Sequence, residues 1–243
     1  MSVPLGSALK RAVLAGLAAA LVVSVFHLAF TEPVIDRAIG IEEQMNSGHD
    51  EGEPVVSREG QKAGLVLGLA LYGTIWALLF GVVYHLTQGW LPASSAAARG
   101  AVLAVMGYLS VALLPFLKYP ANPPGVGDPD TITYRQGLYV ALLVLSIAGV
   151  FVAAGIARYM QGRRIGQPGS WLAGLGFLVA FAAVVYLALP ANPDPVHIPA
   201  DVLTPFRGLS LVGLTLFWAT LGAMFAWLSH RASHPSQRPA RLT

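Results

Sequence analysis

The chain has 243 residues, 55% of them hydrophobic and 11% charged, with a net charge of +3. Soluble domains carry roughly 25% charged residues, so this sequence lacks the skin of a soluble fold. The absence of cysteine excludes disulfides, thiolate metal sites and cysteine nucleophiles, and the basic residues are too scattered for nucleic-acid binding.

A bilayer core about 30 Å thick takes roughly 20 apolar residues of helix. The first charge-free run, 12–30, follows Lys10 and Arg11 and ends in Leu28-Ala29-Phe30-Thr31-Glu32-Pro33. It is longer than the apolar core of a secretory signal, about 7–15 residues, and reads as an uncleaved first span that stops at Pro33. An acidic loop over 31–62 follows. The second run, 63–86, carries Gly64 and Gly68 at the four-residue spacing that lets helices approach closely. Further runs cover 100–117, 136–157, 171–189 and 208–229, with Trp90 and Trp171 placed to anchor at the interfaces. The last is opened by Thr204-Pro205, read as an N-cap and first-turn proline, and 230–243 form a flexible tail. Continuous apolar runs whose backbone must be satisfied internally specify helices rather than a barrel. The expected fold is all-α: one polytopic transmembrane helix bundle over 1–243 with about six spans.

Alternating the loops between two sides places nine basic residues with both termini and six on the other side. The excess of Lys and Arg makes the first side cytoplasmic, so both termini are inside. All twelve acids fall on the second side: eight in 31–62, Asp128 and Asp130 in the next loop, Asp194 and Asp201 in the last. One reading is solvation and ion pairing with the basic residues there; the other is a vestibule whose negative potential concentrates cations.

The outer loops repeat. Tyr119-Pro120-Ala121-Asn122-Pro123 recurs seventy positions later as Leu189-Pro190-Ala191-Asn192-Pro193, each copy directly after an apolar run. Acids follow each copy, and then Arg135-Gln136-Gly137-Leu138 or Arg207-Gly208-Leu209 opens the returning helix. The hairpin through Glu32-Pro33 and Lys62-Ala63-Gly64-Leu65 is a looser version, giving three helix-hairpin repeats of a kind used to build transport proteins. A basic side chain at the start of a helix opposes its dipole, so each is expected to lean on a loop acid.

Within the spans the titratable side chains of intermediate pKa are His27 and His85, and no carboxylate sits at mid-membrane, which weakens a proton-antiport reading. His27 and Glu32 lie about 140° apart on a regular helix and share a site only if the helix unwinds near Pro33. Imidazole with carboxylate suits Co²⁺, Ni²⁺ or Zn²⁺; the plainer reading is a histidine bonded to a neighbouring helix. His49-Asp50-Glu51-Gly52-Glu53 is either a metal-capturing stretch or solvated loop, and His197 with Asp194 and Asp201 lies in a loop stiffened by prolines. There is no Gly-x-x-x-x-Gly-Lys-[Ser/Thr], His-Glu-x-x-His or Gly-x-Ser-x-Gly, so ATP hydrolysis and the common hydrolase chemistries lack their anchors, and an enzyme is not expected.

Phe30-Thr31-Glu32-Pro33, the long stretch from Lys118 to Ile132, and Ile198-Pro199-Ala200-Asp201-Val202-Leu203 with Phe206-Arg207 together resemble the CbtA family of proposed cobalt transporter subunits. The resemblance covers almost the whole chain. It implies a multi-pass protein of the bacterial inner membrane, surrounded by lipid, that works with a small one-helix partner, CbtB, whose histidine-rich terminus handles metal. On this reading a transported cobalt ion takes the place of a cofactor. The expected metal-handling residues are Glu32 and His27 at the mouth of the bundle and Asp128, Asp130, His197 and Asp201 in the outer loops. The alternative is a non-transporting membrane scaffold or assembly subunit, in which prolines and ion pairs only shape the loops.

Overall fold

The computed structural model describes residues 2–45, 56–123, 126–196 and 198–233. Helix α1 (Leu5–Phe26) continues through a π-helical turn, His27–Thr31, into α2 (Glu32–Met45). After α3 (Arg58–Thr87), α4 (Ala96–Gly107) runs through a second π-helical turn, Tyr108–Leu113, into α5 (Leu114–Lys118). A 3₁₀ turn at Pro129–Thr131 leads into α6 (Ile132–Gly162), followed by α7 (Gln167–Ala188) and α8 (Ala200–Ser233). Six of these helical stretches are long and apolar enough to cross a membrane, and no strand occurs among the described residues.

Residue size is sorted by what each face meets. Ala8, Ala12, Ala15 and Ala19 recur at helical spacing on α1 and are fully shielded, whereas Leu14, Leu21 and Val25 on its other side are exposed. Lipid is as apolar as leucine, so large side chains gain little by leaving it, and helices associate where small residues let backbones meet. A Cβ on Gly16 of α1 would lie 2.5 Å from the Gly73 carbonyl oxygen of α3, which makes this the close approach between the first two spans. Gly64 and Gly68, expected to serve that purpose, have no neighbour within 4 Å of such a Cβ. Their spacing is right, but they lie nearer the acid-bearing end of α3 than its contact with α1.

The helices pack in the order α3, α1, α8, α4 with its π turn, α6, α7. The first two helix-hairpins therefore close as pairs. The third keeps the helix, loop, helix order, but its arms part: α7 rests on α6, while α8 crosses back to lie between α1 and α4.

Proline shapes the spans in a way that local sequence rules do not anticipate. Pro33 does not end the first helix. A proline inside a helix lacks the N–H and presses on the carbonyl four residues back, and the chain answers with a wider turn instead of a stop. In both spans the residue just before the proline closes that turn: the Glu32 N–H reaches the His27 carbonyl before Pro33, and the Leu114 N–H reaches the Leu109 carbonyl before Pro115. The stretch 31–62 is accordingly helical at both its ends. Likewise α8 begins at Ala200 rather than at Thr204, with Pro205 inside its second turn. Val202 and Phe206, one turn apart, are both buried and hold this early turn against the bundle.

The described parts of the three acid-bearing loops gather at one end of the bundle. At the opposite end the Val3 N–H donates to Gln88 Oε1 at 2.6 Å and Gln88 Nε2 donates to the Val3 carbonyl at 3.0 Å, pinning the N-terminal segment to α3. His85, whose Nδ1 lies 3.1 Å from the same carbonyl, belongs to this tie.

Candidate metal-handling site at the acid-bearing end

Glu32 sits where the π turn passes into α2. A buried carboxylate needs a cation or several donors, and Glu32, 5% exposed, receives Arg58 from the start of α3. The guanidinium Nη2 lies 2.7 Å from Glu32 Oε2 and 2.6 Å from Asp36 Oδ1, while Nη1 donates to Gln61 Oε1 at 2.7 Å. One cationic group is thus held by three side-chain acceptors from both arms of the first hairpin. Ser57 caps α3 by accepting from the Gly60 N–H at 3.2 Å, which fixes Arg58 in the first turn.

His27 lies one π turn below. The five-residue hydrogen bond ties the Glu32 N–H to the His27 carbonyl and narrows the angle that a regular helix would leave between the two residues. The side chains then diverge. His27 Nδ1 is 2.7 Å from Thr31 Oγ1, and its Nε2 edge lies against α8, where a Cβ on Gly213 would come within 2.5 Å of it.

The second and third loops form a reciprocal clamp. Arg135, from the first turn of α6, places Nε 3.0 Å from Asp194 Oδ2 of the third loop. Thr131 Oγ1 donates to Asp194 Oδ1 at 2.8 Å, and the Asp128 N–H donates to its Oδ2 at 3.0 Å. In the other direction Arg207 of α8 donates to Asn122 Oδ1 of the second loop at 2.7 Å. Lys118 Nζ caps α7 by donating to the Tyr186 and Leu189 carbonyls at 2.7 and 2.8 Å, and the Tyr119 hydroxyl donates to the Pro190 carbonyl at 2.7 Å. Each Pro-Ala-Asn-Pro turn is therefore bound by a side chain from the other repeat. Burial, the strongest influence on Asp194, raises its pKa, but Thr131, the Asp128 amide and the Arg135 charge together hold the carboxyl below its ordinary 3.8.

Of the expected metal-handling residues, Glu32 is engaged by Arg58 and Asp201 by Arg37, at 3.0 Å on an exposed surface. Asp128 caps the 3₁₀ turn by accepting from the Asp130 N–H at 2.9 Å, and Asp130 is exposed beside it. His197 and the stretch His49 to Glu53 lie outside the described residues. Among the described residues no three His, Asp or Glu side chains converge on one metal position. The expectation that each returning helix leans its basic residue on an acid holds for Arg135, while Arg207 takes an amide; in the first hairpin it is Arg58, not the expected Lys62, that meets the acids. Sequence reasoning does not single out Asp36, Gln61 and Asn122 as partners; Arg135 and Arg207 at matching places in the repeat are the signal that points to Asn122, whereas Arg58 lies outside the repeated unit and gives no such pointer to Asp36 and Gln61.

A family model described as "Probable cobalt transporter subunit (CbtA)" matches residues 6–230. No curated protein and no solved structure matches the chain.

Proposed function

The chain belongs to the CbtA family of probable cobalt transporter subunits, and on that premise we propose that it forms the membrane path of a divalent cobalt uptake system. In this reading Asp128, Asp130, Asp201 and His197 gather the ion from outside, and Glu32 receives it at the top of the first span with His27 one turn below. The observation that carries it is the buried Glu32 carboxylate, kept beside Asp36 by a guanidinium that already stands where a cation belongs. A divalent ion attracts the two carboxylates more strongly than a monovalent guanidinium does at equal distance. Arg58, 28% exposed, has room to turn outward as the ion arrives. Imidazole with carboxylate oxygen then suits a borderline ion such as Co²⁺ better than Mg²⁺ or Ca²⁺. The protein moves an ion and breaks no covalent bond. It acts in the bacterial inner membrane with both termini cytoplasmic, and a small CbtB-like subunit with a histidine-rich terminus works beside it.

The test is radioactive cobalt uptake in a transport-deficient cell, with and without the small partner. Uptake above background that drops in Glu32→Gln, Asp128→Asn or Asp130→Asn supports the proposal. Uptake unchanged in all three variants overturns it. A second reading, a non-transporting scaffold, is favoured by the arginines standing within 3.0 Å of Glu32, Asp36, Asp194 and Asp201; it predicts no accumulation in vesicles containing the purified chain.

A further inference from the structure

Beside the reciprocal clamp lies a cavity of about 510 Å³ that the metal-handling reading does not use. Its size falls within the range of about 300–1,000 Å³ common to small-molecule sites. One wall is polar, made of Arg135, Gln136, Asn122 and Asn192, so both repeated asparagines open into the same space. The rest of the lining is largely apolar, with Tyr139 and Val140 one turn further along α6 from Arg135 and Gln136. No carboxylate or imidazole lines the cavity among the described residues, so its chemistry is that of a donor site for oxygen acceptors, not a seat for a bare divalent ion.

Two features identify the guest. Tyr139 and Val140 are 41% and 56% exposed on the outer surface of α6, where the helix leaves the bilayer, so the cavity opens toward lipid at the interface. The polar wall offers donors. The amide oxygens of Asn122 and Asn192 already accept from Arg207 and from the Asp194 N–H, so what these two side chains have left for a guest is N–H donors, beside Gln136 and the guanidinium of Arg135. We infer that this cavity is a binding site for a phosphate group carried on an apolar body, the headgroup and glycerol region of an outer-leaflet phospholipid. The phosphate takes donors from Arg135 and the amides, and the first acyl carbons lie on Tyr139 and Val140. A lipid seated there touches both copies of the repeated turn at once, so it bridges the second and third hairpins.

Native mass spectrometry of the full chain released from nanodiscs of phosphatidylglycerol and phosphatidylcholine tests this. Wild type is expected to retain one phospholipid. Gln136→Leu, which removes a donor from the polar wall, and Val140→Trp, which fills the cavity from its lipid-facing wall, should each lower retention by about tenfold. Equal retention in wild type and both variants, or no retention in wild type, overturns the inference. A parallel arm with soluble glycerol phosphate distinguishes the source: a thermal shift of wild type by glycerol phosphate with no lipid retained overturns the assignment to phospholipid. Cobalt uptake plays no part in this readout, so the result stands apart from the transport proposal.

Discussion

The outer end of the first hairpin and the outer end of the other two are both tied by arginine, but the ties differ in reach. Arg58 holds Glu32 and Asp36 within a single hairpin, across α2 and α3. Arg135 and Arg207 each leave their own hairpin and hold the loop of the other. A bond inside one unit can open while the unit stays in place; a pair of exchanged bonds opens only if two units separate. The first end is thus suited to admitting a guest, and the second to keeping the bundle together.

Substitutions on the two sides should separate these roles. The largest effect is expected from Glu32→Gln, which removes the buried charge that a cation would meet: cobalt uptake should fall by at least about tenfold, the scale of losing one charge-assisted contact, while the purified protein still folds. If uptake and thermal midpoint fall together in proportion, the division of roles is wrong. Next comes Arg135→Leu, which strips Asp194 of its ion pair and should lower the thermal midpoint by about 5 °C, with a smaller change in uptake per folded molecule.

The clamp's response to acid follows from the same carboxylate. Because Asp194 has a folded-state pKa below the 3.8 of the free group, its contribution is complete above that value and is lost as pH falls through the lower folded value. The gap in thermal midpoint between wild type and Asp194→Asn should therefore stay constant from about pH 7 to about pH 5 and narrow only in strong acid. A gap that closes near neutrality would mean that another group governs the clamp.

Smaller still, a double-mutant cycle on Arg207→Ala and Asn122→Ala should give a coupling of about 1 kcal/mol in denaturation, as for one charge-assisted hydrogen bond at a partly buried site. The smallest effect belongs to the pair that links the two regions. Arg37 and Asp201 have side chains 62% and 69% exposed, and a pair so open to solvent is worth at most about 0.5 kcal/mol. A coupling well above that would show the two ends working as one.

Much of this is legible from the chain. Six charge-free runs long enough to span a bilayer specify the class of fold, and the recurrence of Pro-Ala-Asn-Pro before an arginine locates the paired loops. What escapes is set by contacts between elements. Pro33 looks like a stop because local rules make it one, yet the helix continues through a wider turn; an identical device before Pro115 is equally hidden. Gly64 and Gly68 have the spacing of a contact but not its position, whereas Gly16 and Gly73 lie far apart in sequence and meet only through the tertiary fold. The exchange of arginines between loops cannot be read from either loop alone, since each copy offers the same partners within its own hairpin.

The parting of α7 and α8 bears on how the molecule is made. As the chain emerges, α1 with α3 and α4 with α6 and α7 form two groups that meet chiefly where α3 touches α4. The helix that lies between them, α8, is synthesised after both. The membrane must therefore hold two half-assembled pieces until α8 arrives, and a chain cut short before residue 200 would leave them side by side with their small-residue faces open to lipid.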